Sequence, residues 1–234
     1  MRAASHLTLV MALCVSSAGT ACVEDAEGNE TTGKTMDQDK PLLPWAEGNS
    51  WTYRVTDGAE ISTKTTTIGS KGTVGGSGPH ASEEAYEVTT LKSDETDRTV
   101  SYQVEIDDKV VRYREVSYSA KTDAASLDEH WDPYKLHVDG TPEHTVAGAD
   151  WLEEYLETKQ APGAAGVTAQ QRDRWKVDQV PASVTVPVGT FDNAIKLTKA
   201  GGDTLKSYWY VRGIGKVKET GGQTEELTEY TVTP

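Results

Sequence analysis

An all-β fold is what this sequence predicts: a curved antiparallel sheet or incomplete β-barrel, in one domain, with at most one short helix. Three observations carry that expectation. Residues Thr99 to Ile106 alternate without exception, Val100, Tyr102, Val104 and Ile106 against Thr99, Ser101, Gln103 and Glu105, which is the period of a half-buried strand. Short segments of this kind recur between glycine turns at Gly189, Gly201-Gly202, Gly213, Gly215 and Gly221-Gly222. The aromatic inventory of six Trp and ten Tyr against one Phe suits cross-strand pairs on a pleated surface.

The chain opens on an address rather than a piece of fold. Arg2 supplies a positive charge, Leu7 to Val15 form a short apolar run, and the small residues Ser16 to Ala21 lead to Cys22. That order is the signature of a secretory signal over residues 1–21. The run is far shorter than the roughly 20 apolar residues a bilayer span needs. Gly19-Thr20-Ala21-Cys22 resembles the lipobox of bacterial lipoproteins, with Gly19 standing where Leu is usual. The resemblance implies that Cys22 is lipidated and becomes the first residue of a chain held at the cell envelope. Without lipidation the protein would be secreted. Cys14 leaves with the signal, so the mature chain keeps one thiol and has no intramolecular disulfide. From Val23 to Lys40 the sequence is acidic and polar without an aromatic residue, and cannot bury enough apolar surface to offset its ordering entropy. Residues 22–40 therefore read as a lipidated cysteine followed by a flexible tether.

The β-rich domain spans 41–234, long enough for a single core. Trp51 to Val55 alternates, with Trp51, Tyr53 and Val55 on one face; Glu60 to Ile68 is threonine-rich, and Glu84 to Lys92 carries Tyr86 and Val88 together. A two-residue turn at Asp107-Asp108 would pair Val104 with Val111 and Tyr102 with Tyr113 on an apolar face. Trp151 to Leu156 fits a helix or a strand, and its β surroundings favour the strand. Further strands are expected at Asp173 to Val180, Ser183 to Val188, Asn193 to Lys199, Lys206 to Arg212, Lys216 to Glu219 and Glu225 to Val232. The glycine-rich runs Ser70 to Ser82 and Ala161 to Gly166 read as loops.

Charge and motifs narrow the function. The formal net charge of −14 becomes about −15 once Arg2 leaves with the signal. Such a chain is repelled by phosphate backbones, so no nucleic-acid partner is expected. No G-x-S-x-G, S-x-x-K, H-E-x-x-H or phosphate-loop motif occurs, so no catalytic residue, cofactor or enzymatic role is expected. His130, His137 and His144 are evenly spaced, but seven residues put successive members on opposite faces of a strand, and no metal site is expected. The aromatic residues are the feature with a functional reading beside the packing one. Trp51, Tyr53 and Trp209 are the candidate ligand-face aromatics, because Trp and Tyr suit half-wet surfaces.

Three phrases stand in order: Pro44-Trp45-Ala46-Glu47-Gly48-Asn49-Ser50-Trp51-Thr52-Tyr53, then Val186-Pro187-Val188-Gly189-Thr190-Phe191, then Tyr208-Trp209-Tyr210-Val211-Arg212-Gly213-Ile214-Gly215-Lys216-Val217-Lys218. Together they resemble a group of uncharacterised secreted bacterial lipoproteins of myxobacterial type, in which GNxWxY, VPxGTF and YWxxxGxGxVK motifs follow one another. Val188 replaces the group's usual Ala. The resemblance implies a secreted or lipid-anchored β domain and brings no activity with it. The expected function is that of a non-enzymatic, monomeric envelope lipoprotein that binds an apolar ligand or an envelope protein. The alternatives are a structural or assembly lipoprotein without a small-molecule site and, third, an enzyme of unrecognised type.

Overall fold

The structure, a computed structural model, describes residues 39–233 apart from 94–96, 120 and 203. The expected signal, Cys22 and the expected tether up to residue 38 lie outside the described residues. Twelve strands are present among those described: β1 (Ser50–Asp57), β2 (Glu60–Thr73), β3 (Glu84–Lys92), β4 (Asp97–Ile106), β5 (Lys109–Ser119), β6 (Ala125–Asp139), β7 (Asp150–Gln160), β8 (Val167–Val186), β9 (Gly189–Gly201), β10 (Thr204–Val211), β11 (Gly215–Gly221) and β12 (Gln223–Thr231). The helical content is one 3-10 turn at Pro142–His144. Every strand pairs antiparallel with its neighbours in sequence, and β1 pairs with β12, so the sheet closes into an up-and-down barrel.

The all-β antiparallel expectation holds, and the curved sheet or incomplete barrel is in fact a closed one. Ser50 to Thr56 hydrogen-bond to Thr67–Ile61 on one side and to Thr231–Thr224 on the other, which leaves no free edge. That closure joins the two ends of the domain, and no local pattern announces it. Two further differences concern strand extent. The segments 173–180 and 183–188 form one strand, β8, whose register against β9 shifts around Gln179 and Ala182. β6 was not anticipated, because its Pro133 and its mixed polar and apolar residues hide the period.

The hairpins after β2, β4, β6, β8 and β10 gather at one end of the barrel, and the chain entering at Pro41 plugs that end. Leu42, Leu43 and Trp45 pack there against Trp51, Tyr53, Ile68, Val88, Val110, Val138, Tyr210, Val217 and Leu227. Directed bonds fix the plug. Gly213 N–H donates to Pro41 O at 2.9 Å, Asn49 Nδ2 to Pro44 O at 3.1 Å, and Trp51 Nε1 to Ile214 O at 2.6 Å. Gly215, at φ +100°, is required at this seal, since a Cβ there would lie 2.5 Å from Leu43 Cδ1.

The strand with the clearest alternation faces opposite to simple expectation. Thr99 and Gln103 of β4 line the barrel interior, while Tyr102 and Val104 face out and pack with Val74, Ala85, Val111 and Tyr113 under the β2–β3 connection. Asp107 and Asp108 form the anticipated turn with φ of 50° and 62°, and Val104 pairs with Val111. Tyr102 pairs with Arg114 rather than Tyr113, because Tyr113 is the extra residue of a bulge. Elsewhere the outer wall is charged, with Arg54 on Glu226 (2.6 Å), Arg172 on Glu154 (2.6 Å) and Arg174 on Asp150 (2.7 Å).

Candidate functional site

The barrel interior above the plug is a cavity of about 800 Å³. Its floor is set by Leu43, Trp45, Trp51, Tyr53, Gln103, His137 and Tyr210. Thr90, Lys92, Thr99, Ser117, Lys159, Gln171, Thr204 and Gln223, next to the hairpins of the other end, form its mouth. Between them runs a belt of charge. Lining side chains include Lys64, Lys92, Arg112, Lys135, Lys159, Lys199, Lys206 and Lys216 against Glu115, Glu157, Asp173, Glu219 and Glu225. Cations outnumber carboxylates among these lining side chains, and Lys159 is also held by Glu129 at 2.8 Å.

Two bulges build this belt. In a regular strand, residues three apart face opposite sides. In β11, Trp209 pairs with Lys218 and Tyr210 with Lys216, so Val217 is extra and Lys216 and Glu219 both turn inward. In β5, Gln103 pairs with Arg112 and Tyr102 with Arg114, so Tyr113 is extra and Arg112 and Glu115 both turn inward. Each bulge converts a one-cation, one-carboxylate sequence into an ion pair on the lumen wall.

On one wall Lys216 Nζ bridges Glu219 (2.5 Å) and Glu225 (2.8 Å), while Lys64 holds the other oxygen of Glu225 at 2.8 Å and Lys206 that of Glu219 at 2.7 Å. Burial opposes ionisation of both carboxyls, but the attraction of Lys216, reinforced by Lys64 and Lys206, outweighs it and holds both well below the usual range. Lys64 is pushed down, by burial first and then by Lys216. On the facing wall Lys199 Nζ sits 2.5 Å from Asp173 Oδ2, which also accepts from Tyr155 Oη at 3.1 Å. Glu157 accepts from Trp131 Nε1 (3.1 Å) and Gln171 Nε2 (3.2 Å) beside Lys135 at 3.5 Å. Burial, then Arg112 and Lys199, push Lys135 down. The ammonium groups also cap the aromatic rings, Lys199 over Trp175 and Lys216 over Tyr53, each 5.0 Å from the centroid. The surface offered to a ligand is therefore hydrogen-bonding and made of paired charges, with aromatic rings behind it.

The anticipated site residues are distributed unevenly. Trp51 and Tyr53 line the cavity. Trp209 is not among the lining residues: it sits beside the inward Tyr208 and Tyr210, half-buried, with the Lys196 ammonium 5.3 Å from its ring. Cys22 falls outside the described residues. The three histidines are not brought together. His130 abuts Gly78 under the β2–β3 connection, and His144 stacks on Trp151 at 4.0 Å while its Nδ1 lies 2.7 Å from Asp139 Oδ2. His137 alone faces the lumen. Sequence reasoning missed the lysine and glutamate belt, whose residues look like an ordinary solvated face until the two bulges and the closure turn them inward.

No family model matches the chain, and none of the curated proteins is similar to it. Among solved structures it is similar to that of a Bacteroides fragilis protein assigned as exported and having a YmcC-like fold, with 11% identity over 82% of this chain and 99% of that one and a TM-score of 0.45.

Proposed function

We propose that the chain is a non-enzymatic cell-envelope lipoprotein, anchored through Cys22, whose barrel holds a ligand in its lumen. The observation that carries this reading is the cavity itself: plugged at one end, open at the other among the described residues, and about 800 Å³ in volume, within the range of about 300–1,000 Å³ typical of small-molecule sites. The charged outer rows support a barrel standing in water, since a barrel crossing lipid needs an apolar outer band. The mixed lining favours a ligand with polar groups as well as an apolar body. Native mass spectrometry of the protein purified from its own membrane tests this. A stoichiometric co-purified small molecule is the expected result, and a lumen that carries nothing under conditions preserving other envelope ligands would favour a structural or assembly role.

The anchor has its own test. The small-residue run ending at Cys22 motivates the expectation that Cys22→Ala moves the protein from the membrane to the soluble fraction and abolishes labelling by a palmitate analogue. Unchanged membrane partitioning of that variant would refute lipid anchoring at this residue.

A further inference from the structure

Lys135 stands apart from the other lysines of the lumen. Lys64, Lys159, Lys199, Lys206 and Lys216 each hold a carboxylate oxygen at 2.5–2.8 Å, and Lys92 reaches Gln223 Oε1 at 3.4 Å. The carboxylate oxygen nearest Lys135 Nζ is Glu157 Oε1, at 3.5 Å, and it already accepts from Trp131 Nε1 at 3.1 Å. Asp173 of β8 is taken up by Lys199 at 2.5 Å and Tyr155 Oη at 3.1 Å. Cations crowd the same place. Arg112 of β5 is the cross-strand partner of Lys135, and both lie over the ring of Trp131, at 5.8 and 5.0 Å from its centroid. Like charges directly opposite on paired strands are unfavourable, and the strain eases when the ammonium gives up its proton. Burial first, then Arg112 and Lys199, accordingly push this amine down, against the weaker pull of Glu157 and Asp173. The side chain lines the cavity and is 28% exposed, so it is reached from the lumen. A lysine set among cations and aromatic rings, without a close carboxylate, is the arrangement that makes an amine nucleophilic.

We propose that Lys135 holds the lumen ligand covalently, as an imine between its ε-amine and the carbonyl group of an aldehyde with an apolar body. This rests on the lumen being the ligand site and adds which group the ligand carries and where it is fixed. The Nζ lone pair attacks the carbonyl carbon and the C=O π pair moves to oxygen. Glu157 relays the two amine hydrogens to that oxygen, which leaves as water as the C=N bond forms. No oxidant or reductant takes part, and water reverses the step, so the ligand can be released. The rings of Tyr155, Trp175 and Tyr208 line the same cavity and suit the apolar body.

The test treats the whole protein with 2-naphthaldehyde and sodium cyanoborohydride, which reduces an imine to a stable secondary amine, and maps the adducts by peptide mass spectrometry. The expected result is one predominant adduct, at Lys135, formed about tenfold faster near pH 7 than at the outer-wall Lys176, since each unit by which an amine is lowered raises its neutral fraction about tenfold. Between about pH 6 and 10 the labelling of Lys135 should level off at a lower pH than that of Lys176. Lys135→Arg keeps the charge without a nucleophilic amine and should lose that adduct, with a melting curve to show that it is folded. Binding of N-phenyl-1-naphthylamine, which has no carbonyl, reports on the lumen separately. Dye binding with adducts spread evenly over the lysines, or with Lys135 and Lys176 levelling off together, overturns the covalent site and leaves the lumen reading standing. Neither dye binding nor a selective adduct overturns both. A selective Lys135 adduct without dye binding supports the lysine and overturns the apolar body of the ligand.

Discussion

Trp51→Ala is expected to cost about 3–5 kcal/mol, the range for removing a large buried aromatic side chain. Trp51 is 2% exposed, stacks on Trp45 at 6.2 Å with 17° between the rings, and donates to Ile214 O. Its loss leaves that carbonyl without its indole donor, opens a hole in the floor and frees the plug where the β10–β11 turn grips it. For a domain of this size each kcal/mol moves the melting temperature by about 2–4 °C, so a fall on the order of 10 °C is expected. Trp209→Ala is the matched control. Its ring is half-buried on the outer face with Lys196 over it, and the expected cost is about 1 kcal/mol. Urea and thermal melts of the two variants decide the matter. Equal losses would mean that Trp209 is as much a part of the core as the floor is.

The contrast between these two residues shows what the sequence made legible. Both sit in alternating segments and in phrases that resemble one group, and both are candidates for a ligand face, with Trp51 the one expected to be core. The alternation of β1 places Trp51 and Tyr53 on one side of the sheet, as expected, and β7 is the strand its neighbours suggested. Alternation says which residues share a face but not which face is the inside. Residues 99–106 make the point most sharply. Their apolar side packs outward under the β2–β3 connection, and the polar side, with Thr99 and Gln103, forms part of the lumen wall. An interior large enough to hold water and ions reverses the usual reading of a polar face. The belt was hidden for a second reason. Lys216 with Glu219, and Arg112 with Glu115, share a face only because Val217 and Tyr113 are bulge residues, and a one-residue insertion leaves no signature in composition or period. Closure was hidden for a third, being a pairing of Ser50–Thr56 with Thr224–Thr231 across the whole length of the domain.

The belt also sets the second large effect, which is electrostatic. Lys216→Met removes the cation that bridges Glu219 and Glu225 and leaves two buried carboxylates with one lysine each, Lys206 and Lys64. Breaking a buried pair from one side costs about 3–5 kcal/mol, and the surviving partners place the expected loss near the lower end. Acid supplies the check on cause. In the native protein both carboxyls lie below their ordinary values, so the folded state binds fewer protons than the unfolded one as the pH falls toward 4. Their contribution is therefore complete above the unfolded value of about 4.3 and is lost as the pH falls through the lowered folded values. Glu153 and Glu105 work in the opposite sense, since burial raises their carboxyls, but Glu157 and Glu226 are lowered like the Lys216-bridged pair and the balance stays with the lowered groups. The melting temperature of the native protein should fall steeply below about pH 4.5, and that of Lys216→Met should fall less, because its carboxyls are no longer held so low. The triple replacement Lys216→Met, Glu219→Gln, Glu225→Gln removes the stranded charges and should recover much of the loss at neutral pH. A Lys216→Met protein melting within about 2 °C of the native one at pH 7, with the same acid slope, would mean that lumen water already solvates these carboxylates and that the belt contributes nothing to the fold.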